Sequence, residues 1–388
     1  MRGAAADGAE RGRPIDVSAR RLSAIVLAAG EGSRMRSSRP KPLHLLCGRA
    51  MVLYVLDALP APELDRVVVV VGHGADVVTK ALTDAGSDLP LGFVEQRQQR
   101  GTGDAVAVGL TGLSDDVDDL GDESDVLVLP GDTPLLQAAT VADLVAEHRL
   151  SGAACTLLTA RMADPTGYGR IVRNQRDEQV ARIVEQADAT AEEAAIDEIN
   201  TGIYCFRRGL LAPALRRLHP DNAQGELYLT DVVEVLAEAG HKVISVVAPD
   251  SAETQGVNDR AQLAAAEADL RARTNRAWQA RGVTMVDPAT TYVDAAVVLA
   301  PDVTLFPGTM LQGHTKLGEG VEIGPGCRLV DCEVGEHSTL EHTIARRSEI
   351  GADCAVGPYA VLEPGSQVPS GTRTGPFYTG TAASIPEG

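Results

Sequence analysis

The sequence predicts an α/β protein with a mostly parallel sheet, followed by a connecting helix and a short parallel β-helix. From about Ser23 to Asn258, apolar runs such as SAIVLAAG, RVVVVVGHG and DVLVLPGD alternate with helical stretches such as AMVLYVLDAL. Runs rich in β-branched residues and bounded by Gly or Pro are typical of strands buried on both faces. Their alternation with helices indicates βαβ units and parallel pairing.

The connecting helix is predicted over residues 259–281. This stretch contains no Gly or Pro and is dense in Ala, Arg and Leu, which are strong helix formers.

The last part of the chain, residues 282–388, is predicted to form a short β-helix and a tail. Gly and Pro become frequent, and fragments such as LGEGVEIGPGCRLVDCEVG carry the small-residue turns of a hexapeptide repeat. Apolar residues recur about every six positions at Val321, Ile323, Leu329, Val334, Leu340, Ile344, Ile350, Val356 and Val361. At about three hexapeptides per coil we expect about four coils, with a Gly-rich sandwich as the alternative.

Charge and composition exclude several function classes. The 35 Lys and Arg against 54 Asp and Glu give a net charge of −19, which disfavours general binding to nucleic acid or anionic lipid. Aromatic residues make up only 3%, too few for a base-stacking platform. An anionic ligand therefore needs a local basic pocket.

The termini and cysteines favour a cytoplasmic protein. Residues 1–20 are rich in Ala, Gly and charged residues, so we expect a disordered tail, and they lack the apolar middle of a signal peptide. No apolar run approaches the roughly 18 residues that span a bilayer. The six cysteines include no CxxC pair, so we expect reduced, buried thiols and neither a zinc site nor a redox motif.

The strongest local signal is LAAGEGSRMRSSRPK, which follows the first predicted strand. Gly30 and Gly32 allow the backbone to approach a phosphate group, and Arg34 and Lys41 supply positive charge. A Rossmann fingerprint is not satisfied, because Met35 stands where the third Gly belongs, and no P-loop GK[ST] occurs.

This motif resembles that of sugar-1-phosphate nucleotidyltransferases, in particular the bacterial bifunctional N-acetylglucosamine-1-phosphate uridyltransferase / glucosamine-1-phosphate acetyltransferase family. Further segments fit the family in the same order, and the resemblance covers nearly all of residues 22–360. These segments are EQRQQRGTGDA (95–105), LPGDTPLL (129–136), PTGYGRIVR (165–173), IVEQADAT (183–190), EINTGIY (198–204), NAQGELYLTD (222–231) and GVNDRAQL (256–263).

The resemblance implies a Rossmann-like, GT-A-like nucleotidyltransferase domain with a mostly parallel mixed sheet over residues 21–258. It also implies that residues 259–281 are a linker helix and that the β-helix is left-handed. By the same resemblance, the β-helix would hold the chain in a homotrimer.

The resemblance also assigns site residues. Arg34 and Lys41 would be catalytic and bind phosphates, and Asp132 and Asn258 would bind Mg²⁺, although each of these last two could alone be a helix N-cap. The implied nucleotide-binding residues are Leu27, Ala28, Ala29, Gly30, Gln96, Gln99, Gly101 and Thr102. The implied sugar-binding residues are Gly169, Glu185, Asn200, Tyr228 and Thr230. Glutamine amides suit a uracil edge, because they offer both a donor and an acceptor.

The implied reaction joins UTP and N-acetylglucosamine 1-phosphate into UDP-N-acetylglucosamine with release of pyrophosphate. The phosphate oxygen of the sugar would attack the α-phosphorus in line, with catalysis by positioning and charge neutralisation.

Several residues depart from the family pattern. Asp104 stands where the family usually has His, and Ala187 stands where it often has a basic residue. Glu363 replaces a phosphate-binding Arg, Thr381 stands near an expected Lys, and the later acetyltransferase coils are missing, so we expect no acetyltransferase activity. Two alternatives stay open. One is transfer to another sugar or cyclitol 1-phosphate. The other is a non-catalytic nucleotide-binding subunit, and the retained residues Arg34, Lys41, Asp132 and Asn258 argue against it.

Overall fold

The computed structural model describes residues 20–113, 124–174 and 179–381. The tail predicted for residues 1–20 lies outside this range except for Arg20. The described residues divide into two compact units. Unit 1 comprises 20–30, 57–113, 124–130, 136–174 and 179–254, and unit 2 comprises Glu31–Leu56, Gly131–Leu135 and 255–381. The domain boundaries predicted at residues 258 and 281 stay a prediction.

Eleven strands and eight helices precede the β-helix in the described part of the chain. The strands are β1 (Arg21–Ala28), β2 (Leu45–Leu46), β3 (Arg49–Ala50), β4 (Leu64–Val71), β5 (Leu91–Glu95), β6 (Ser124–Pro130), β7 (Cys155–Arg161), β8 (Arg170–Arg173), β9 (Val180–Val184), β10 (Glu198–Arg207) and β11 (Val243–Val247). The helices are α1 (Met51–Asp57), α2 (Ala75–Asp84), α3 (Thr102–Leu110), α4 (Ala138–Ser151), α5 (Ala191–Ala194), α6 (Arg208–Leu215), α7 (Asp231–Glu238) and α8 (Arg260–Gln279). None of these helices is both long and apolar enough to cross a membrane.

Unit 1 is built on a mixed sheet with the strand order β11-β7-β10-β6-β1-β4-β5, and β8 and β9 are attached beside β10. The pairs β1–β4, β1–β6, β4–β5 and β7–β11 are parallel, whereas β10 is antiparallel to both β6 and β7. The three apolar runs singled out in the sequence are β1, β4 and β6, and their central residues are fully buried. The predicted mostly parallel mixed sheet is therefore confirmed.

Unit 2 contains α8 and the β-helix. The strands of the β-helix are β12 (Thr284–Met285), β13 (Tyr292–Val293), β14 (Val298–Leu299), β15 (Thr304–Leu305), β16 (Met310–Gln312), β17 (Lys316–Leu317), β18 (Glu322–Ile323), β19 (Arg328–Val330), β20 (Glu333–Val334), β21 (Thr339–Leu340), β22 (Ile344–Arg346), β23 (Glu349–Ile350), β24 (Ala355–Val356), β25 (Val361–Leu362), β26 (Gln367–Val368) and β27 (Thr379–Gly380). They form three parallel stacks, β12-β15-β18-β21-β24, β13-β16-β19-β22-β25-β27 and β14-β17-β20-β23-β26. In each strand an outward residue alternates with a buried one, as expected for the core of a solenoid. The stacked parallel strands are consistent with the predicted left-handed β-helix.

The expectation of about four coils was too low. The stacks hold five, six and five strands in the described residues, which makes five full coils and the start of a sixth. The first coil lacks the six-residue rhythm because a 3₁₀ turn, Pro288–Thr290, is inserted into it. Its apolar residues Val283, Met285 and Val293 are nevertheless buried in the same core as the later coils.

A buried ionic cluster links β6 to α4 in unit 1. The Asp125 carboxylate is 1% exposed, and His148 Nε2 lies 3.4 Å from its Oδ1. Arg149 Nε lies 3.6 Å from Oδ2, and Arg20 Nη1 lies 3.8 Å from Oδ1. Neither carboxylate oxygen has a hydrogen-bond partner among the described residues, so these longer charge contacts are what compensate its burial.

Replacing Asp125 with Ala should destabilise the protein. Removing Asp125 leaves the largely buried Arg20 guanidinium without its carboxylate and Arg149 with Glu63 alone, and breaking a buried ion pair costs about 3 kcal/mol. The measurement is the free energy of unfolding in urea. Asp143→Ala, an exposed site on α4, is the matched control and should change stability by less than about 0.5 kcal/mol. Equal stability of the two variants would contradict a stabilising role for the cluster.

Candidate active site

The predicted site residues fall into two groups, one in each compact unit. Unit 2 holds the four that were expected to bind phosphates and metal: Arg34, Lys41, Asp132 and Asn258. Unit 1 holds all of the expected nucleotide-binding and sugar-binding residues. We call the first set the phosphate group and the second set the nucleoside–sugar group.

The phosphate group converges on one ammonium. Lys41 Nζ donates a hydrogen bond to Asp132 Oδ2 and another to Asn258 Oδ1, at 2.9 Å. Arg34 Nη2 donates to the same Asn258 oxygen at 3.0 Å. Three chain segments that are far apart in sequence therefore bring two cationic groups and two oxygen ligands together.

The turn that carries Arg34 depends on Gly32. Its φ is +63°, and a Cβ there would lie 2.7 Å from Lys41 Cβ, so a larger residue would displace the lysine. A 3₁₀ turn, Ser33–Met35, follows, and the Met35 side chain is buried. Arg260 Nε donates to the Met35 carbonyl at 3.1 Å and fixes the end of this turn. Arg34 itself stays exposed.

Asn258 is held just before α8. Asp259 is the N-cap, since its Oδ1 accepts a hydrogen bond from Gln262 N at 2.8 Å. The possibility that Asn258 caps this helix is therefore wrong. The Asn258 N–H instead donates to Gln262 Oε1 at 2.7 Å, which leaves the Asn258 amide in the phosphate group. The neighbouring Val257 N–H donates to the Asp132 carbonyl at 2.8 Å and joins the two metal-ligand candidates through the backbone.

Helix α8 fixes the other segments of the phosphate group as well. Glu267 Oε2 accepts a hydrogen bond from Cys47 N at 2.7 Å, and Arg273 Nη1 donates to the Leu135 carbonyl at 2.7 Å. An apolar cluster completes the contact; its buried members are Leu46, Cys47, Met51, Leu135, Val257, Ala266 and Leu270. Burial also raises the pKa of Cys47 to about 12, so this thiol is not a nucleophile at neutral pH.

The donor chemistry of the phosphate group fits a divalent cation. The side-chain oxygens of Asp132 and Asn258 accept hydrogen bonds from the same ammonium and therefore lie next to each other. One carboxylate and one amide oxygen suit a hard cation that takes its remaining ligands from water and substrate phosphates. Within the described residues no cluster of three or more His, Cys, Asp or Glu could hold a metal alone.

The nucleotide part of the second group surrounds the end of β1. Gln99 Nε2 donates to the Ala29 carbonyl at 2.8 Å. Gln96 Nε2 donates to Asp104 Oδ2 at 2.8 Å and to the Gly101 carbonyl at 3.3 Å. Thr102 Oγ1 accepts from Leu229 N at 3.0 Å, which ties the start of α3 to the segment before α7. Leu27 and Ala28 belong to β1, and Gly30 has open space where a Cβ would stand.

Four of the five predicted sugar-binding residues adjoin one another. Thr230 Oγ1 donates to Glu185 Oε1 at 3.1 Å, and the Asn200 N–H donates to the Gly169 carbonyl at 2.8 Å. A Cβ on Gly169 would lie 2.9 Å from Ile183 Cγ2, so glycine leaves room for the Ile183 side chain. The same point lies 3.4 Å from Glu185 Oε2, which puts Gly169 next to that carboxylate.

Tyr228 presents an unsatisfied polar atom in this region. Its hydroxyl is buried and has no hydrogen-bond partner among the described residues. Tyr228 and Glu185 both line a cavity of about 470 Å³ in unit 1. A buried hydroxyl without a partner is costly, so this atom would gain from any hydrogen bond made to it.

Asp231 lines the same cavity and was not singled out from the sequence, although it directly follows Thr230 in the YLTD segment. Burial, followed by the nearby carboxylates of Glu234 and Asp188, raises the pKa of Asp231 from 3.8 to about 6. Burial also raises the pKa of Glu185. This wall of the cavity therefore carries less negative charge at mildly acidic pH than its composition implies.

Asp231 should make stability depend on pH. Its raised pKa means that the folded state holds the proton more tightly than the unfolded state, so its contribution to stability is lost as pH rises from about 4 to about 6. Asp231→Asn should remove this loss, measured as the difference in unfolding free energy between variant and wild type across that window. Asp143→Asn, at an exposed site, should keep the wild-type profile. A wild-type profile in Asp231→Asn would disprove the raised pKa.

Comparison with known proteins places the chain among nucleotidyl transferases. Residues 23–280 match the family described as "Nucleotidyl transferase". The chain is 45% identical over 369 residues to "Bifunctional protein GlmU" of Streptomyces avermitilis, covering 95% of this chain and 75% of that protein. The protein of the same name from Thermobifida fusca is 48% identical over 336 residues (86% and 68% covered), and that of Halalkalibacterium halodurans is 42% identical over 354 residues (91% and 75% covered). The matched range 23–280 contains both groups of predicted site residues.

Proposed function

The chain belongs to the nucleotidyl transferase family and to its GlmU branch, and on that premise we propose that it is a Mg²⁺-dependent N-acetylglucosamine-1-phosphate uridylyltransferase. The resemblance stated from the motifs is confirmed, and the protein is a nucleotidyltransferase like the UDP-N-acetylglucosamine pyrophosphorylases. The proposal adds the sugar, the nucleotide, the metal and the individual residues.

The main support for this proposal is that Lys41 is hydrogen-bonded to Asp132 and Asn258. Arg34 is hydrogen-bonded to the same Asn258 oxygen. In a chain with a net charge of −19, this group supplies the local positive charge that a triphosphate needs. Asp132 and Asn258 would hold Mg²⁺, which when bound neutralises the charge that develops on the phosphate oxygens.

The chain's own residues act by binding and orientation. Lys41 would hold the sugar phosphate and the α-phosphate, and Arg34 would bind the β- and γ-phosphates. One oxygen of the sugar phosphate forms a bond to the α-phosphorus, the bond from that phosphorus to the bridging β-phosphate oxygen breaks, and pyrophosphate leaves with the electron pair. No covalent bond to the protein forms, so preorganised charge and positioning are the protein's contribution.

Recognition of the two substrates is assigned to unit 1. The backbone of Leu27, Ala28, Ala29 and Gly30 would follow the nucleotide, with Gln96, Gln99, Gly101 and Thr102 around the base. Gly169, Glu185, Asn200, Tyr228 and Thr230 would bind the sugar. The support is that Gln99 is hydrogen-bonded to Ala29 and that Thr230 is hydrogen-bonded to Glu185.

The purified protein should release pyrophosphate from UTP and N-acetylglucosamine 1-phosphate with Mg²⁺, and EDTA should abolish the release. The assay is a coupled pyrophosphate measurement across a panel of triphosphates and sugar or cyclitol 1-phosphates. Faster turnover of another 1-phosphate would replace the sugar assignment, which the departure at Ala187 makes worth testing. No release from any pair would favour the non-catalytic nucleotide-binding alternative.

We also propose that this chain lacks acetyltransferase activity, the second activity that the resemblance of its motifs implies. Glu363 lies at an exposed corner after β25, and its backbone N–H donates to the Gly380 carbonyl at 3.0 Å. A carboxylate at this place repels a sugar phosphate, whereas the family's arginine would bind one.

Acetyl transfer from acetyl-coenzyme A to glucosamine 1-phosphate should therefore stay at background. The measurement is release of free coenzyme A, with pyrophosphate release by the same sample as the check that the protein is folded and active. Release of coenzyme A that depends on glucosamine 1-phosphate would show that the activity is retained.

A homotrimer formed through the β-helix is part of the same proposal. One stack of strands presents exposed apolar side chains at four of its six outward positions in the described residues, Tyr292, Met310, Ile344 and Val361, while Arg328 and Thr379 occupy the other two. Such a face is suited to burial against copies of the same chain. We further place the reaction in the cytoplasm, where nucleoside triphosphates are supplied.

A further inference from the structure

We propose that Asp104 is a positioning residue that fixes the Gln96 amide and thereby makes the base site select uracil over cytosine. The inference rests on the proposed function and adds a specificity determinant to it. Asp104 is not among the residues that the motifs assign to the nucleotide, so its role is additional to theirs.

Gln96 is well held by its surroundings. It follows β5 directly, is 5% exposed, and its backbone N–H donates to the Val71 carbonyl at 2.8 Å. Its side-chain nitrogen lies 2.8 Å from Asp104 Oδ2 and 3.3 Å from the Gly101 carbonyl oxygen. The side chain therefore has two defined partners.

The chemistry of these partners fixes which way the amide points. An ionised carboxylate and a backbone carbonyl can only accept hydrogen bonds, so both must face the NH₂ end of the amide. The two amide hydrogens are then committed, and the group that Gln96 can offer a ligand is its Oε1, an acceptor. An ionised carboxylate imposes this choice whatever its orientation, because neither of its oxygens carries a hydrogen.

An acceptor discriminates between the two pyrimidines. Uracil carries an N–H donor at ring position 3, whereas cytosine carries an unprotonated acceptor there. The N–H of uracil can donate a hydrogen bond to Gln96 Oε1. In cytosine the unprotonated ring nitrogen would face Oε1 instead, and two acceptors cannot form a hydrogen bond. If the amide could rotate, its NH₂ group would serve cytosine equally well, so selectivity requires that the rotation be blocked.

The turn that carries Asp104 is itself rigid. Asp104 lies in the first turn of α3, where a carboxylate is favoured by the helix dipole. Gly101, at φ +110°, approaches the backbone so closely that a Cβ would lie 2.5 Å from the Leu227 carbonyl oxygen. The Gly103 N–H donates to that same carbonyl at 2.8 Å. Asp104 can therefore hold the amide without moving with it.

The test compares the affinities of UTP and CTP by calorimetry in wild type, Asp104→Ala and Asp104→Asn. Both variants weaken the hold on the amide, because they remove the carboxylate at 2.8 Å and leave the Gly101 carbonyl at 3.3 Å as its one obligate acceptor. In the second variant the asparagine can donate as well as accept. We expect the ratio of the two dissociation constants to shift toward CTP by about tenfold, the scale of a good side-chain-to-base contact. Asp76→Asn, an exposed carboxylate in the first turn of α2, is the matched control and should keep the wild-type ratio.

The ratio separates positioning from general damage, because a disordered site would weaken both nucleotides alike. An unchanged ratio in both Asp104 variants would overturn the inference even if UTP turnover is normal. Loss of selectivity in the variants would support it even if the wild type proves inactive with N-acetylglucosamine 1-phosphate. A wild type that binds CTP as tightly as UTP would overturn the inference outright.

Discussion

The contact between the Lys41 ammonium and the side-chain oxygens of Asp132 and Asn258 depends on helix α8. Asp259 caps this helix, and Gln262 then fixes the Asn258 backbone at its start. Further along, the helix is hydrogen-bonded to Cys47 and to Leu135, which stand on the segments that supply Lys41 and Asp132. Catalysis by preorganised charge requires that the charged side chains be held in precise positions. The 20-residue helix α8 is the rigid element that holds them.

The two groups of site residues rely on different kinds of interaction. In the phosphate group two cations approach each other, and a single oxygen, Asn258 Oδ1, accepts hydrogen bonds from both. In the nucleoside–sugar group, the contacts are mainly directional hydrogen bonds donated by glutamine, threonine and backbone groups. This division fits the substrates, because phosphates are recognised by charge and bases or sugars by the pattern of their donors and acceptors.

Much of this fold could be predicted from the sequence because its strongest signals are local. Uninterrupted apolar runs predicted β1, β4 and β6, and the absence of Gly and Pro predicted α8. The number of coils was underestimated because the first coil is lengthened by a turn that hides the six-residue rhythm. Nothing local indicates that Asp125 meets His148 and Arg149 or that Asp104 meets Gln96, since these contacts exist only once strands and helices are packed. The residues of the phosphate group came from the resemblance, and their convergence on one ammonium could not be read from spacing.

The compact unit that carries the phosphate group is discontinuous in sequence, and this has a consequence for protein synthesis. Lys41 and Asn258 are separated by 217 positions, so the ribosome must make most of the chain between adding the first and the second. At typical elongation rates this interval is roughly 10–45 s. During that time the segment with Lys41 has neither α8 nor the Asn258 oxygen to contact, while most strands of the unit 1 sheet have already been made. The order of synthesis thus lets the sheet form before the cationic residues acquire their fixed positions.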